Sequence, residues 1–101
     1  MYTIIYKTKK LEKCRKSMSE AVRAWGKPAG YKYHKSIDIL EAIESLNDLQ
    51  RFAFLRFHAL KGKRKEQYAL KLDDRWRLIF SLKGSKHDVI HIDEVSRHYG
   101  D

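Results

Sequence analysis

Residues 76–83 alternate strictly. Trp76, Leu78, Phe80 and Leu82 fall on one face, and Arg77, Ile79, Ser81 and Lys83 on the other. Period two is the signature of a strand, and it points Arg77 away from the apolar face. Three further runs, about 55–60, 67–72 and 89–95, also read as strands. Leu72-Asp73-Asp74-Arg75 and Lys83-Gly84-Ser85-Lys86 read as hairpin turns between them. At the other end, Tyr2-Thr3-Ile4-Ile5-Tyr6 is β-branched and aromatic, as a first strand would be. Leu11, Cys14 and Met18, then Val22 and Trp25, recur at helical spacing and predict one or two short helices between about residues 8 and 26. Gly26-Lys27-Pro28 breaks that pattern, with Pro28 suited to the first residue of a new helix. From Ala29 to about Leu46, the residues Tyr33, Ile37, Leu40 and Ile43 form one apolar stripe, with Asp38, Glu41 and Glu44 off it and Asn47-Asp48 as its end. Helices early and strands late predict an α+β domain. The helix stripes would cover Tyr68, Leu70, Leu72, Trp76, Leu78, Phe80 and Leu82, leaving the opposite sheet face partly open.

Composition narrows this picture. A chain of 101 residues supports one core, hence a single domain over residues 1–101. Its 43% hydrophobic content and single Pro argue for a folded domain rather than a basic tail. The net charge of +9 attracts anions without choosing among DNA, RNA, an acidic protein or an acidic membrane. That charge is unevenly placed. Residues 1–35 carry ten Lys/Arg against two acids, residues 36–55 carry one against four, and residues 56–77 carry eight against three. The single Cys14 excludes an internal disulfide and sits on an apolar stripe. No apolar run reaches the length of a bilayer span, and the N-terminus lacks the order of a secretory signal, so a cytoplasmic protein is expected.

Chemistry concentrates in residues 57–80. Lys61, Lys63, Arg64 and Lys65 surround Gly62 in a basic loop, a common place for phosphate contacts and equally a solvated turn. Arg77 offers either a strand arginine paired with Asp93 or Glu94, or a guanidinium fork held rigidly for phosphate. His58 precedes the loop on the face opposite Phe57. Nearby cations disfavour its protonated form and would leave a neutral imidazole as a base. His98 and Tyr99 follow the last strand and are proton-transfer groups. His87 and His91 stand four apart in a turn-and-strand segment, where that spacing does not bring two ligands onto one metal. No phosphate-cradling glycine motif and no Ser/His/Asp pattern is visible. An open basic sheet face with a basic hairpin points to a polyanion, RNA foremost.

The block Phe57-His58-Ala59-Leu60-Lys61-Gly62-Lys63-Arg64-Lys65, then Gln67-Tyr68-Ala69-Leu70 and Trp76-Arg77-Leu78-Ile79-Phe80, resembles the RelE/ParE toxin superfamily of bacterial type II toxin–antitoxin systems. It is most similar to the HigB branch, which Lys9-Lys10-Leu11-Glu12-Lys13 also fits. The resemblance implies a small twisted antiparallel sheet backed by N-terminal helices. It implies a ribosome-dependent, metal-independent endoribonuclease without a cofactor, which cleaves mRNA and inhibits translation. The partners it implies are the ribosome with its rRNA, the mRNA substrate, and a cognate antitoxin of the HigA-like helix-turn-helix kind.

The site residues follow from the same resemblance. His58 and Arg77 match the family's catalytic His and strand Arg. The family's C-terminal Asp-Tyr-His is replaced here by Arg97-His98-Tyr99, with the Tyr and His order reversed and Arg where Asp stands. Lys61 joins Arg77 as a charge stabiliser, and His98 and Tyr99 complete the expected catalytic set. Lys63, Arg64, Lys65, Lys71, Arg75 and Arg97 are the expected RNA- and ribosome-binding residues. Two alternatives use the same fold: a ParE-like inhibitor of DNA gyrase, and a catalytically inactive relative that binds RNA or antitoxin.

Overall fold

The computed structural model describes residues 1–64 and 66–97. Its elements run β1 (Thr3–Tyr6), α1 (Lys9–Lys16), α2 (Met18–Trp25), α3 (Lys27–Ala42), β2 (His58–Ala59), β3 (Gln67–Lys71), β4 (Trp76–Lys83) and β5 (Val89–Arg97). The five strands form one sheet in the order β1-β5-β4-β3-β2. All neighbours are antiparallel except β1 and β5, which pair in parallel. The expected α+β domain is therefore present, with its sheet mostly rather than wholly antiparallel.

Local sequence explains the helix boundaries. Thr8 and Ser17 open α1 and α2, their hydroxyls accepting from the backbone N–H groups of Leu11 (3.1 Å) and Glu20 (3.3 Å). Gly26, at φ 87°, makes the left-handed turn into α3, where Pro28 occupies the first turn. Arg15 of α1 clasps α3, donating to the His34 carbonyl (3.1 Å), Asp38 (2.6 Å) and Glu41 (3.0 Å). Leu11, Cys14, Ala21, Trp25, Tyr33, Ile37 and Leu40 line the inner side of this helical layer. They form one core with Leu70, Leu78, Phe80, Ile90 and Ile92 of the sheet. Phe57, Tyr68 and Phe80 stack within it, their ring centroids 5.5–6.3 Å apart.

The structure departs from the sequence reading in two places and adds detail in two more. The helix predicted to reach Leu46 ends at Ala42. Ile43 is extended but still buried, and Asn47-Asp48 belong to a 3₁₀ turn, Leu46–Arg51. Asp48 anchors that turn by accepting from the N–H groups of Glu44 (3.1 Å) and Ser45 (3.2 Å). The strand predicted at 55–60 shrinks to His58–Ala59, because Ala53–Leu55 form a 3₁₀ turn and Arg56 adopts φ 50°. The open sheet face is not purely polar. Ile79 is 0% exposed there and packs with Leu60 and Ala69 in a second small cluster. Finally, β5 contains a bulge: Ile79 faces Glu94, while the next residue, Phe80, faces Ile92. The extra residue is Asp93. It keeps Ile90, Ile92 and Val95 all towards the helices and sends two consecutive acids, Asp93 and Glu94, to the open face.

Two consequences concern stability. A Cβ on Gly30 would sit 2.9 Å from the Val22 nitrogen and 3.0 Å from the Ala21 carbonyl carbon, so α2 and α3 approach closely only because Gly30 lacks one. Gly30→Ala is expected to destabilise the fold by about 1–3 kcal/mol in denaturant titration. Tyr33 is fully buried, donates its hydroxyl to the Leu11 carbonyl (2.7 Å), and burial holds its phenol well above the ordinary range. Above about pH 10 the unfolded phenol ionises while the folded one stays protonated. Stability therefore declines as pH rises past that point. Tyr33→Phe should lose about 1 kcal/mol at neutral pH and show a shallower alkaline decline, both read from melting curves.

Candidate functional site

The open sheet face carries a cleft of about 660 Å³ lined by Arg56, Phe57, His58, Ala69, Lys71, Asp73, Asp74 and Arg77. Register explains why His58 and Arg77 share it. His58 lies opposite Ala69, and Arg77 opposite Lys71, two positions further along the same face of β3. Two strand spacings and a two-residue offset separate their Cα atoms by roughly 12 Å. Their side chains can reach a common group between them. Ala69, 1% exposed, forms the floor, and its small side chain leaves that space open.

Each group is held locally. The left-handed turn at Arg56 sends Phe57 into the aromatic stack and His58 to the opposite face. His58 Nδ1 lies 2.8 Å from the Arg56 carbonyl. A carbonyl only accepts, so Nδ1 carries the proton in the neutral ring and Nε2 is its basic nitrogen. Arg77 stands on the central strand β4 with its Nε shielded from solvent, and the buried Leu78 follows it. Lys71 pairs with Asp74 at 3.3 Å. Asp73 accepts from the N–H groups of Arg75 and Trp76, both at 2.8 Å, and so makes the β3–β4 turn. Asp74 is thus paired to Lys71 and Asp73 is committed to the turn, while Arg56 and Arg77 supply the cleft's guanidinium groups.

The other expected residues are dispersed. Lys61 is exposed on the loop after β2 and does not line the cleft. Lys63 and Arg64 line a second groove on the same face. Arg64 is engaged within the fold, with Nε donating to Gln67 at 3.0 Å and the guanidinium pairing with Glu94. The sequence offered Asp93 or Glu94 as a partner for Arg77, but Glu94 takes Arg64 and Asp93 bonds His91 and Gln67. Arg97 lies over the Trp76 ring, 5.7 Å from its centroid, and Arg75 is exposed in the turn. Lys65, His98 and Tyr99 lie outside the described residues. The sequence reading missed Arg56, Asp73 and Asp74. The Asp-Asp turn was visible, but nothing local showed that it borders the cleft.

The comparisons agree with this architecture. The family model described as a RelE-like toxin of the type II toxin–antitoxin system HigB matches residues 18–94. The chain belongs to this HigB-like family of RelE-like toxins. No curated protein matches the chain. Among solved structures, it is similar to a YoeB/ParE toxin from Agrobacterium tumefaciens, at 13% identity and a TM-score of 0.60 over 96% of this chain and 99% of that one. It is likewise similar to YafQ from E. coli, at 13% identity and a TM-score of 0.61 over 97% and 94% of the two chains. A YoeB–YefM complex from Staphylococcus aureus matches at 16% identity and a TM-score of 0.59 over 98% and 99%. At such identities these structures establish the shared fold. Among the described residues, no helix is long and apolar enough to cross a membrane.

The tautomer assigned to His58 is open to measurement. Imidazole ¹⁵N shifts at pH 9 are expected to show His58 with its proton on Nδ1. A dominant Nε2–H form would mean that the Arg56 carbonyl does not orient the ring.

Proposed function

We propose that this toxin is a ribosome-dependent endoribonuclease that cleaves mRNA, using the cleft between His58 and Arg77. The observation that supports it most is the convergence of a tautomer-fixed imidazole and a strand-held guanidinium on one open cleft. RNA supplies its own nucleophile. His58 Nε2 takes the proton of the 2′-OH, whose oxygen attacks the adjacent phosphorus. The bond from phosphorus to the 5′ oxygen breaks, leaving a 2′,3′-cyclic phosphate and a 5′-OH. Arg77 stabilises the charge that develops on the phosphorane oxygens. His98 or Tyr99, assigned by family resemblance, protonates the leaving oxygen. DNA lacks the 2′-OH and is not cut.

The ribosome contributes orientation. Aligning the 2′-OH with the scissile bond can lower a barrier by about 7–11 kcal/mol, which an open cleft on a small domain does not provide alone. The charge of +9 favours docking on rRNA. Family membership makes a cognate antitoxin the natural partner, and the similar structure of a YoeB–YefM complex is consistent with such an assembly.

Arg77→Ala is expected to lower mRNA cleavage about 100-fold or more in a cell-free translation reaction. Its stability should fall by only about 1 kcal/mol, since Arg77 is partly buried but off the helix-facing core. Full cleavage by the folded variant would remove Arg77 from the chemistry. Bare transcripts should be cut far more slowly than translated ones, and equal rates would refute the ribosome dependence. Loss of plasmid supercoiling by gyrase, with intact mRNA, would instead establish the gyrase inhibitor.

A further inference from the structure

The second groove on the open face, about 600 Å³, is assembled from both ends of the chain. Lys7 follows β1, Lys63 comes from the basic loop, and Lys83 ends β4. Parallel pairing of β1 with β5 and antiparallel pairing of β5 with β4 bring these distant lysines together. Between them stand Ser81 and His91, opposite each other on β4 and β5.

Its carboxylates are held from within, one by a cation and one by hydrogen bonds. Asp93, only 10% exposed, bonds His91 Nδ1 through one oxygen and accepts from Gln67 (2.9 Å) through the other. Arg64 pairs with Glu94. Lys7, Lys63, Arg64 and Lys83 outnumber Glu66, Asp93 and Arg64's partner Glu94, so the groove keeps a net positive charge. An ionised carboxylate only accepts, so Asp93 fixes the proton on His91 Nδ1 and leaves Nε2 as the ring's remaining polar site. The Ser81 hydroxyl lines the groove at 5% exposure, and its oxygen has no hydrogen-bond partner among the described residues. A buried hydroxyl without a partner costs about 1–3 kcal/mol and is expected to meet a ligand or an ordered water.

We propose that this groove is a second phosphodiester subsite, which holds the RNA strand a few nucleotides from the phosphate in the His58–Arg77 cleft. The proposal rests on the endoribonuclease reading and extends it. Arg77 and Ser81 are four residues apart on β4, roughly 13 Å along the strand. Ile79, between Arg77 and Ser81 on the same face of β4, separates the two positions. A single strand running along β4 places one phosphate in each groove. The lysines supply charge, the Ser81 hydroxyl donates to a phosphate oxygen, and the Asp93-held imidazole fixes the strand's position beside it.

The test uses the full chain and a short single-stranded RNA with 2′-O-methyl groups, which binds but lacks the nucleophile. Affinity is measured over a series of salt concentrations for wild type and for the Lys7→Ala/Lys83→Ala double variant. The double variant is expected to bind about tenfold more weakly at low salt, with a log–log salt slope shallower by about 0.7 per lysine. His91 ring resonances of the wild type should shift when the RNA is added, and Ser81→Ala should weaken binding without changing the slope. Unchanged affinity and slope in the double variant, or unmoved His91 resonances, would overturn the subsite. If wild type still cuts translated mRNA in that case, the endoribonuclease reading stands alone. If Arg77→Ala cuts as wild type does, the cleft assignment falls, while the salt slope still decides the groove.

Discussion

Burying Leu78 and Phe80 of β4 beneath the helical layer fixes the register of the sheet, and the functional face inherits its arrangement from that burial. A one-residue slip in a strand sends its whole apolar set to the wrong face. Here a slip would drive Arg77 and Lys83 into a core that contains Tyr33, Ile37 and Leu40. The cost of burying such charges without partners is several kcal/mol each, so the register is strongly specified. Arg77, Ile79 and Ser81 consequently stand in a row on the opposite face.

The bulge at Asp93 solves a conflict within β5. Ile90, Ile92 and Val95 do not share one parity, yet all three face the helices. One extra residue reconciles them, and as a by-product both acids after Ile92 face outward. Each then meets a donor from another element, Glu94 meeting Arg64 and Asp93 meeting Gln67, while His91 of the same strand also bonds Asp93. Arg64 is thereby strapped across the sheet to β5. Both partners of the Arg64–Glu94 pair are about 40% exposed, so its net contribution to stability is no more than about 1 kcal/mol. Its consequence is geometric, since it ties the segment after β2 to β5 across the sheet.

The two grooves use charge differently. In the cleft, Asp73 is committed to the turn and Asp74 to Lys71, and arginines border the space. Beside Ser81, acids hold His91 and Arg64, and lysines border the space. A planar arginine fork suits a charge that develops on phosphorane oxygens, whereas lysine is a point charge suited to any phosphate.

Much of this was legible in the sequence because it depends on local sterics. Period two places Arg77 away from the apolar face, and a stripe of Tyr33, Ile37 and Leu40 makes a helix with one buried side, wherever the rest of the chain lies. The basic loop and the match to HigB-like toxins were likewise contained in residues 57–80. What lay beyond the sequence depends on contacts between distant segments. The left-handed Arg56 cut a predicted strand short because Leu55 is drawn into the core on one side and His58 must face outward on the other. The choice of Glu94 for Arg64 rather than Arg77 needed the bulge, and the meeting of Lys7 with Lys83 needed a parallel β1 on β5. Side-chain parity is set by the backbone of a few neighbouring residues, so the sequence alone determines it. Which charges meet across strands is set by closing loops of tens of residues onto one core, and the tertiary structure decides that.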